Sequence, residues 1–342
     1  MRRYHRLIIT GIIFGLLVFI FITLISDVNQ ITRYAEAFPW WLMLPILGLR
    51  MVNWMLRFFK WHFYLNLVGV KGVSYRDSAA IFVTGFPLSA SPGKAAEVLK
   101  SFILENLYGA PVAATLPVVA AERLSDGVAV LVLTAWAILN LSDVGQYWPA
   151  VLISGGLIAA LILLLQFRRL CITLLDWLSR LPVIGKFAHH IEVFYESSYK
   201  MVLLPNMLLA AGLGLLANVL DGVGVYLILI GLGQPPGNEL FFKALLAISL
   251  SVIAGSVSGS PGGIGASDLT IGGVLISVVG LDRGQAGFAT LLARFVQLWW
   301  GVLVGSVVAF LYRKRLFPPS LEHVIDLETQ AGHTASEDAQ LA

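Results

Sequence analysis

The sequence predicts an all-α, polytopic integral membrane protein with about six full spans and two re-entrant helical hairpins, arranged as an inverted-topology repeat. Three observations predict it. Mean hydropathy is +0.83, with 58% hydrophobic and only 13% charged residues, against about 25% charged in a soluble domain. Apolar runs at 7–25, 40–56, 112–139, 149–167, 202–232 and 286–311 approach or exceed the ~20 residues needed to cross hydrocarbon. Two further apolar stretches are each interrupted by Ser-Pro-Gly, at Ser91-Pro92-Gly93 and Ser260-Pro261-Gly262.

Taken in order, the run 7–25 follows Arg2, Arg3 and Arg6, so a signal peptide must be weighed. It lacks a small-residue cleavage site, and Asp27, Asn29 and Gln30 follow directly, which makes it an uncleaved first span. Trp40, Trp41, Trp54, Trp61 and Trp148 lie near span ends, as an interfacial aromatic belt requires. Residues 77–108 break at Ser91–Lys94 and residues 240–280 at 258–265. Pro opens a helix and Gly allows the reversal before it, so both read as hairpins that dip into the membrane and return to the same side. Such backbone is tolerated at membrane depth only inside protein or along a cavity. His189 and His190 in the central loop are adjacent and cannot share a helical face, so a solvated loop helix is expected there, not a metal site. Residues 1–316 form the membrane domain, and 317–342, acidic and without Lys or Arg, form a disordered cytoplasmic tail.

Basic residues set the orientation. Seventeen lie before the first span, after the second, in the central loop or after the last; Arg33, Lys243 and Arg283 lie on the other side. The positive-inside rule places both termini in the cytoplasm of a cell-membrane (inner or plasma) protein. The net charge of +3 echoes this asymmetry and is no nucleic-acid signal. Cys171 is the single cysteine, so no intrachain disulfide exists. There is no Walker loop, Cys-x-x-Cys or nucleophile elbow, and no cofactor is expected.

The two breaks match each other. Glu97 lies five residues after Pro92 and Asp268 seven after Pro261; Arg123 lies 31 after Pro92 and Arg294 33 after Pro261. By the charge asymmetry the first hairpin enters from the cytoplasm and the second from outside. Broken helices in corresponding positions of two halves are the signature of an inverted repeat with a site between them.

S-P-G-K-A-A-E-V-L-K (91–100), A-E-R-L-S-D-G (121–127) and S-P-G-G-I-G-A-S-D (260–268) together resemble the membrane region of bacterial lysylphosphatidylglycerol synthases and of free-standing, flippase-like relatives. The likeness runs to about Arg315. It implies a lipid-flipping membrane domain without the soluble aminoacyl-transferase domain of the full-length synthases. Asp268 stands where the family usually has Glu, and Ala96-Glu97 where it has Gly-Glu.

Charged groups within membrane cost ~2.5 kcal/mol upward, so they should face partners or a watery cavity. The candidate substrate-binding set is Arg50, Pro92, Gly93, Lys94, Glu97, Glu122, Arg123, Asp126, Asp221, Pro261, Gly262, Gly263, Gly265, Asp268 and Arg294. Arginine forks suit phosphate, and helices restarting at Pro92 and Pro261 would present free N–H groups to an anion. The competing readings are structural. Arg123 pairs with Glu122 or Asp126, Glu97 and Asp268 offset their own helix dipoles, and Arg57 snorkels to the surface. The expected partner is a membrane lipid, anionic or polyprenyl-phosphate-linked. Three function classes follow: a lipid flippase or transporter, a non-catalytic partner of a separately encoded lipid synthase or glycosyltransferase, and a membrane-embedded headgroup transferase.

Overall fold

A computed structural model describes residues 28–89, 95–166 and 188–316. The expected first span, the Ser91-Pro92-Gly93-Lys94 break, the side chain of Glu97 and the acidic tail lie outside what is described. No strand occurs among the described residues. The helices are α1 (Val28–Ala37), α2 (Met43–Leu67, entered through a 3-10 turn at Trp40–Leu42), α3 (Tyr75–Thr84), α4 (Phe86–Ser89), α5 (Ala95–Tyr108), α6 (Val112–Leu139) and α7 (Trp148–Gln166). They continue as α8 (Ala188–Val202), α9 (Leu204–Gly231), α10 (Asn238–Ser258), α11 (Ala266–Val274), α12 (Arg283–Arg294), α13 (Trp300–Leu311) and α14 (Arg313–Leu316). Six helical stretches among the described residues are long and apolar enough to cross a membrane. Four of them match the expected spans at 40–56, 149–167, 202–232 and 286–311. The stretches Asn238–Ser258 and Pro261–Val279 of the second hairpin qualify, with 21 and 19 residues. α6 interrupts its 28 apolar-rich residues with Glu122, Arg123 and Asp126.

An internal repeat shows in element lengths and in packing. Trp40–Leu67 and Leu204–Gly231 each have 28 residues. The returning arm is 14 residues in α5, and in the second half 9 α-helical plus 5 π-helical residues run from Ala266 to Val279. α6 has 28 residues and Arg283–Leu311 has 29. In sequence Glu97 and Asp268 stand 171 apart, as do Arg123 and Arg294. The prolines of the two breaks are 169 apart, so aligning on them hides this register. Packing is exchanged between halves: α6 lies on α10, and α13 lies on α3 and α4. Likewise α1 lies on α12 and α8 on α6.

α2 and α9 pack along their length and run antiparallel. Ile46 approaches Gly224, Arg50 meets Asp221 and Lys60 approaches Gly214. The two halves are therefore inverted relative to each other. Two apolar cores form, each with residues of both halves. One gathers Ile46, Leu133, Val225, Leu245, Ile271 and Phe288; the other gathers Trp61, Ile81, Ile103, Val118 and Met201. α7 is peripheral and apolar, with Leu152, Ile153 and Leu157 exposed, as a lipid-facing helix requires.

Two close approaches fix the hairpins. A Cβ on Gly305 of α13 would lie 2.5 Å from Pro87 Cδ and 2.7 Å from the Val83 carbonyl oxygen. A Cβ on Gly255 of α10 would lie 2.3 Å from Ser267 Oγ and 3.2 Å from Gly263 Cα. The tip of the second hairpin turns through Gly262, Gly263 and Gly265 at φ 59°, 67° and 87°, where only glycine is unstrained.

Candidate functional site

α2 extends eleven residues beyond the span end expected at Leu56. The extension carries Arg57 and Lys60 into the bundle. Arg50, Asn53, Arg57 and Lys60 follow i, i+3, i+7, i+10 and lie on one face, ~15 Å from first to last. This polar stripe meets α9 between the two cores. Asn53 Nδ2 donates to the Ala217 carbonyl and Asn218 Nδ2 to that of Gly214, each at 2.7 Å.

Asp126 of α6 is the hub of the first cluster. One carboxylate oxygen accepts from Arg57 and the other from Lys60. Lys60 also reaches Ser125 Oγ at 3.3 Å, and Arg57 Nε donates to Asn53 Oδ1 at 3.0 Å. The Lys60 side chain is 1% exposed and that of Arg57 22%. Gly214 makes room for the hub, since a Cβ there would sit 2.8 Å from Asp126 Oδ1. Two cations, one fully buried and one partly so, thus share one carboxylate.

A second cluster lies further along the stripe. Arg50 donates through NH1 to both oxygens of Asp221, at 2.8 and 3.1 Å, and through NH2 to the Gln297 carbonyl at 2.7 Å. Gln297 belongs to a π-helical segment, Phe295–Trp299, whose widened turn departs from α-helical pairing there. Arg50 Nε is buried without a partner.

The third cluster closes the second hairpin. Arg294 donates through Nε to Asp268 Oδ1 and through NH2 to the Gly262 carbonyl, both at 2.9 Å. Asp268 accepts the Gly265 N–H at 2.7 Å through its other oxygen, capping α11. Glu122, buried, faces Lys100 at 4.0 Å; Lys100 lies over the rings of Trp61 and Phe82 at 4.7 and 4.8 Å.

The sequence-predicted residues therefore separate into distinct groups. Arg50 meets Asp221; Gly262, Gly265, Asp268 and Arg294 meet one another; Asp126 stands with Arg57 and Lys60; Glu122 stands with Lys100. Asp126 pairs with Arg57 and Lys60 and Glu122 with Lys100, while Arg123, exposed on α6, adds its charge to the surroundings of Asp126. Pro261 and Gly263 shape the turn without side-chain bonding of their own. Pro92, Gly93 and Lys94 lie outside the described residues. Arg57, set aside in sequence as a snorkelling residue, and Lys60, assigned to a loop, were missed. The spacing 50, 53, 57, 60 was the signal that could have placed both on the buried face. Among the described residues no group of three or more His, Cys, Asp and Glu gathers as a metal site would.

A helical membrane bundle of two inverted halves, with an ion-paired seam between them, is a multi-pass integral membrane protein whose buried chemistry lies at the repeat interface. Residues 8–305 match the lysylphosphatidylglycerol synthase TM region, and the chain belongs to that family. It is 25% identical over 116 residues to a UPF0104 membrane protein of Methanothermobacter thermautotrophicus, covering 34% of this chain and 33% of that one. It is 30% identical over 100 residues to UPF0104 membrane protein PH1989 of Pyrococcus horikoshii, covering 29% of each. The matched segment is thus about a third of either relative's length. No solved structure matches.

Proposed function

We propose that the protein carries an anionic or phosphoryl-linked lipid between leaflets, with the headgroup phosphate held at Arg57 and Lys60. The observation that carries this reading is the surplus cation at Asp126. An uncompensated charge in the membrane interior costs ~2.5 kcal/mol upward, and an anionic ligand removes that cost. Arg57 supplies a planar fork for phosphate oxygens and Lys60 a point charge.

Two further features support movement of the ligand. The halves are inverted, so rocking one against the other would expose the seam alternately to each side. The second hairpin reads as re-entrant: Ile264 at its tip packs with Leu298 and Val302, and Val302 stands about 16 Å short of Arg313 at 1.5 Å per residue. With Arg57, Lys60 and Lys100 placed inside the bundle, the basic residues still divide fourteen against three. The end bearing Arg313, Lys314 and Arg315 is then cytoplasmic.

The test is reconstitution of the full chain in phosphatidylcholine vesicles. Translocation of a fluorescent phosphatidylglycerol is expected to exceed that of the matched phosphatidylcholine by at least about tenfold, a difference of ~1.4 kcal/mol. Equal rates for the two lipids, or none above protein-free vesicles, would remove the proposal.

A further inference from the structure

The two halves of the seam are symmetry mates. At the 164-position offset between Trp40 and Leu204, Lys60 corresponds to Gly224 and Arg50 to Gly214. At the 171-position offset between Arg123 and Arg294, Asp126 corresponds to Gln297. Lys60, Asp126 and Gly214 form the first cluster. Their mates Gly224, Gln297 and Arg50 line a cavity further along the seam. Glycine stands there in place of the lysine side chain. Arg57 and Asp221, also 164 apart, are mates of each other and lie between the two places.

The cavity has room for about one water molecule in this structure, and its lining has the chemistry that an anionic amphiphile would meet once the seam opens. Ile46, Val225, Ile228 and Val296 give it an apolar wall, and Arg50 and Asp221 its polar end. The Nε–H of Arg50 is buried there with no acceptor. Arg50, Arg57, Lys60 and Lys100 face three carboxylates, Asp126, Asp221 and Glu122, so the seam carries one positive surplus. With Asp221 on Arg50, the surplus lies at Arg57 and Lys60. Asn218, one turn from Asp221 on α9, already places its Oδ1 3.4 Å from Arg57 NH2, so α9 brings this face close to Arg57 as well.

We infer that Asp221 is an exchanging counter-ion and that the cavity at Arg50 is a second phosphate site. When Asp221 turns from Arg50 to Arg57, the surplus passes to Arg50. As the seam opens, the phosphate follows, and its lipid chain lies on Ile46, Val225, Ile228 and Val296, which are buried in the closed seam. No proton or co-ion is needed for this exchange. The inference rests on the lipid-carrier reading and adds the second station and the residue that alternates them.

The test is native mass spectrometry of the full chain from phosphatidylcholine nanodiscs doped with phosphatidylglycerol. The natural protein is expected to retain one phosphatidylglycerol and Asp221→Asn two. Arg50→Gln combined with Asp221→Asn is expected to return to one. Excess inorganic phosphate should displace neither lipid, since it brings nothing to the apolar wall; loss of the second lipid to phosphate would overturn the assignment to a lipid. In the unaltered protein, which needs no variant to fold, a diazirine-tailed phosphatidylglycerol should label the peptides of Ile46 and Val225 more than its phosphatidylcholine analogue. A folded Asp221→Asn that still holds one lipid would overturn the second site and leave the carrier standing, as would equal labelling by the two probes. No phosphatidylglycerol on any form would remove both.

Discussion

Replacing Arg294 separates a scaffold role from a ligand-binding one. Its guanidinium bridges Asp268, which is 6% exposed, and the Gly262 carbonyl at the hairpin tip. Arg294→Ala strands a buried carboxylate, and breaking such a pair costs about 3–5 kcal/mol. Arg294→Lys keeps the charge but offers a single nitrogen in place of two spaced donors. It should lose about one charge-assisted hydrogen bond, ~1.5–3 kcal/mol. Arg294→Met with Asp268→Asn removes both charges and should recover most of the loss, because no buried charge is then unpaired. Equilibrium unfolding in mild detergent measures all three, and hydrogen exchange at 258–268 reports whether the hairpin tip loosens in parallel. An Arg294→Ala protein as stable as the natural one would refute the reasoning. So would a double variant no better than the single.

Gly305→Val should destabilise by about 1–3 kcal/mol and loosen α13 from α4, because the Val83 carbonyl and Pro87 already occupy the space; thermal unfolding checks it. Asp77→Ala should speed hydrogen exchange across 75–89, since one Asp77 oxygen accepts from Ser74 Oγ, Tyr108 OH and Arg315 NH2 and so ties both arms of the first hairpin to α14. Tyr34 OH donates to Asp282 at 2.6 Å; against the opposing effect of burial, that bond and the Gln285 and Gly284 N–H groups hold the Asp282 carboxyl below its ordinary range. Its folded value being depressed, the contribution is complete above the unfolded value and is lost as pH falls through the folded one. Tyr34→Phe should therefore lower stability by under about 1 kcal/mol at neutral pH and make no difference in strong acid. In a background without Cys171, a cysteine at Ser260 should react only with reagent from the side opposite the Arg313–Arg315 end, and one at Ser91 only from that end; labelling of both from one side would contradict the inverted arrangement.

Much of the fold was legible because membrane helices are selected by length and apolar content. The break at Ser260-Pro261-Gly262 marked the turn between α10 and α11, and the paired acids and arginines pointed to the repeat. The register was harder to see. It runs through Glu97, Arg123, Asp268 and Arg294, whereas the second hairpin tip carries two extra residues that displace its proline. The site was legible only in part. A span ends, in a reading by hydropathy, where charge begins, so Arg57 and Lys60 marked the end of α2 at Leu56. In the folded chain the carboxylate of Asp126 on α6 compensates them, and the helix continues to Leu67. Charge compensation across a distance of 66 positions leaves no local trace in either helix. No acid lies within four residues of Arg294 on its own helix, and its partner Asp268 is 26 positions away.

The most direct test of the lipid-phosphate site is Lys60→Met, measured for both stability and translocation. Removing Lys60 leaves Arg57 and Asp126 as a balanced pair and takes a surplus charge out of the interior. The folded protein should then be as stable as the natural one or more so, since desolvating that ammonium is no longer required. Translocation of phosphatidylglycerol in reconstituted vesicles should nonetheless fall by about tenfold or more, the loss of ~1.4 kcal/mol or more of binding to the phosphate. A Lys60→Met protein that is less stable yet moves the lipid at an undiminished rate would contradict the account, because the lysine would then be holding helices together and not a phosphate.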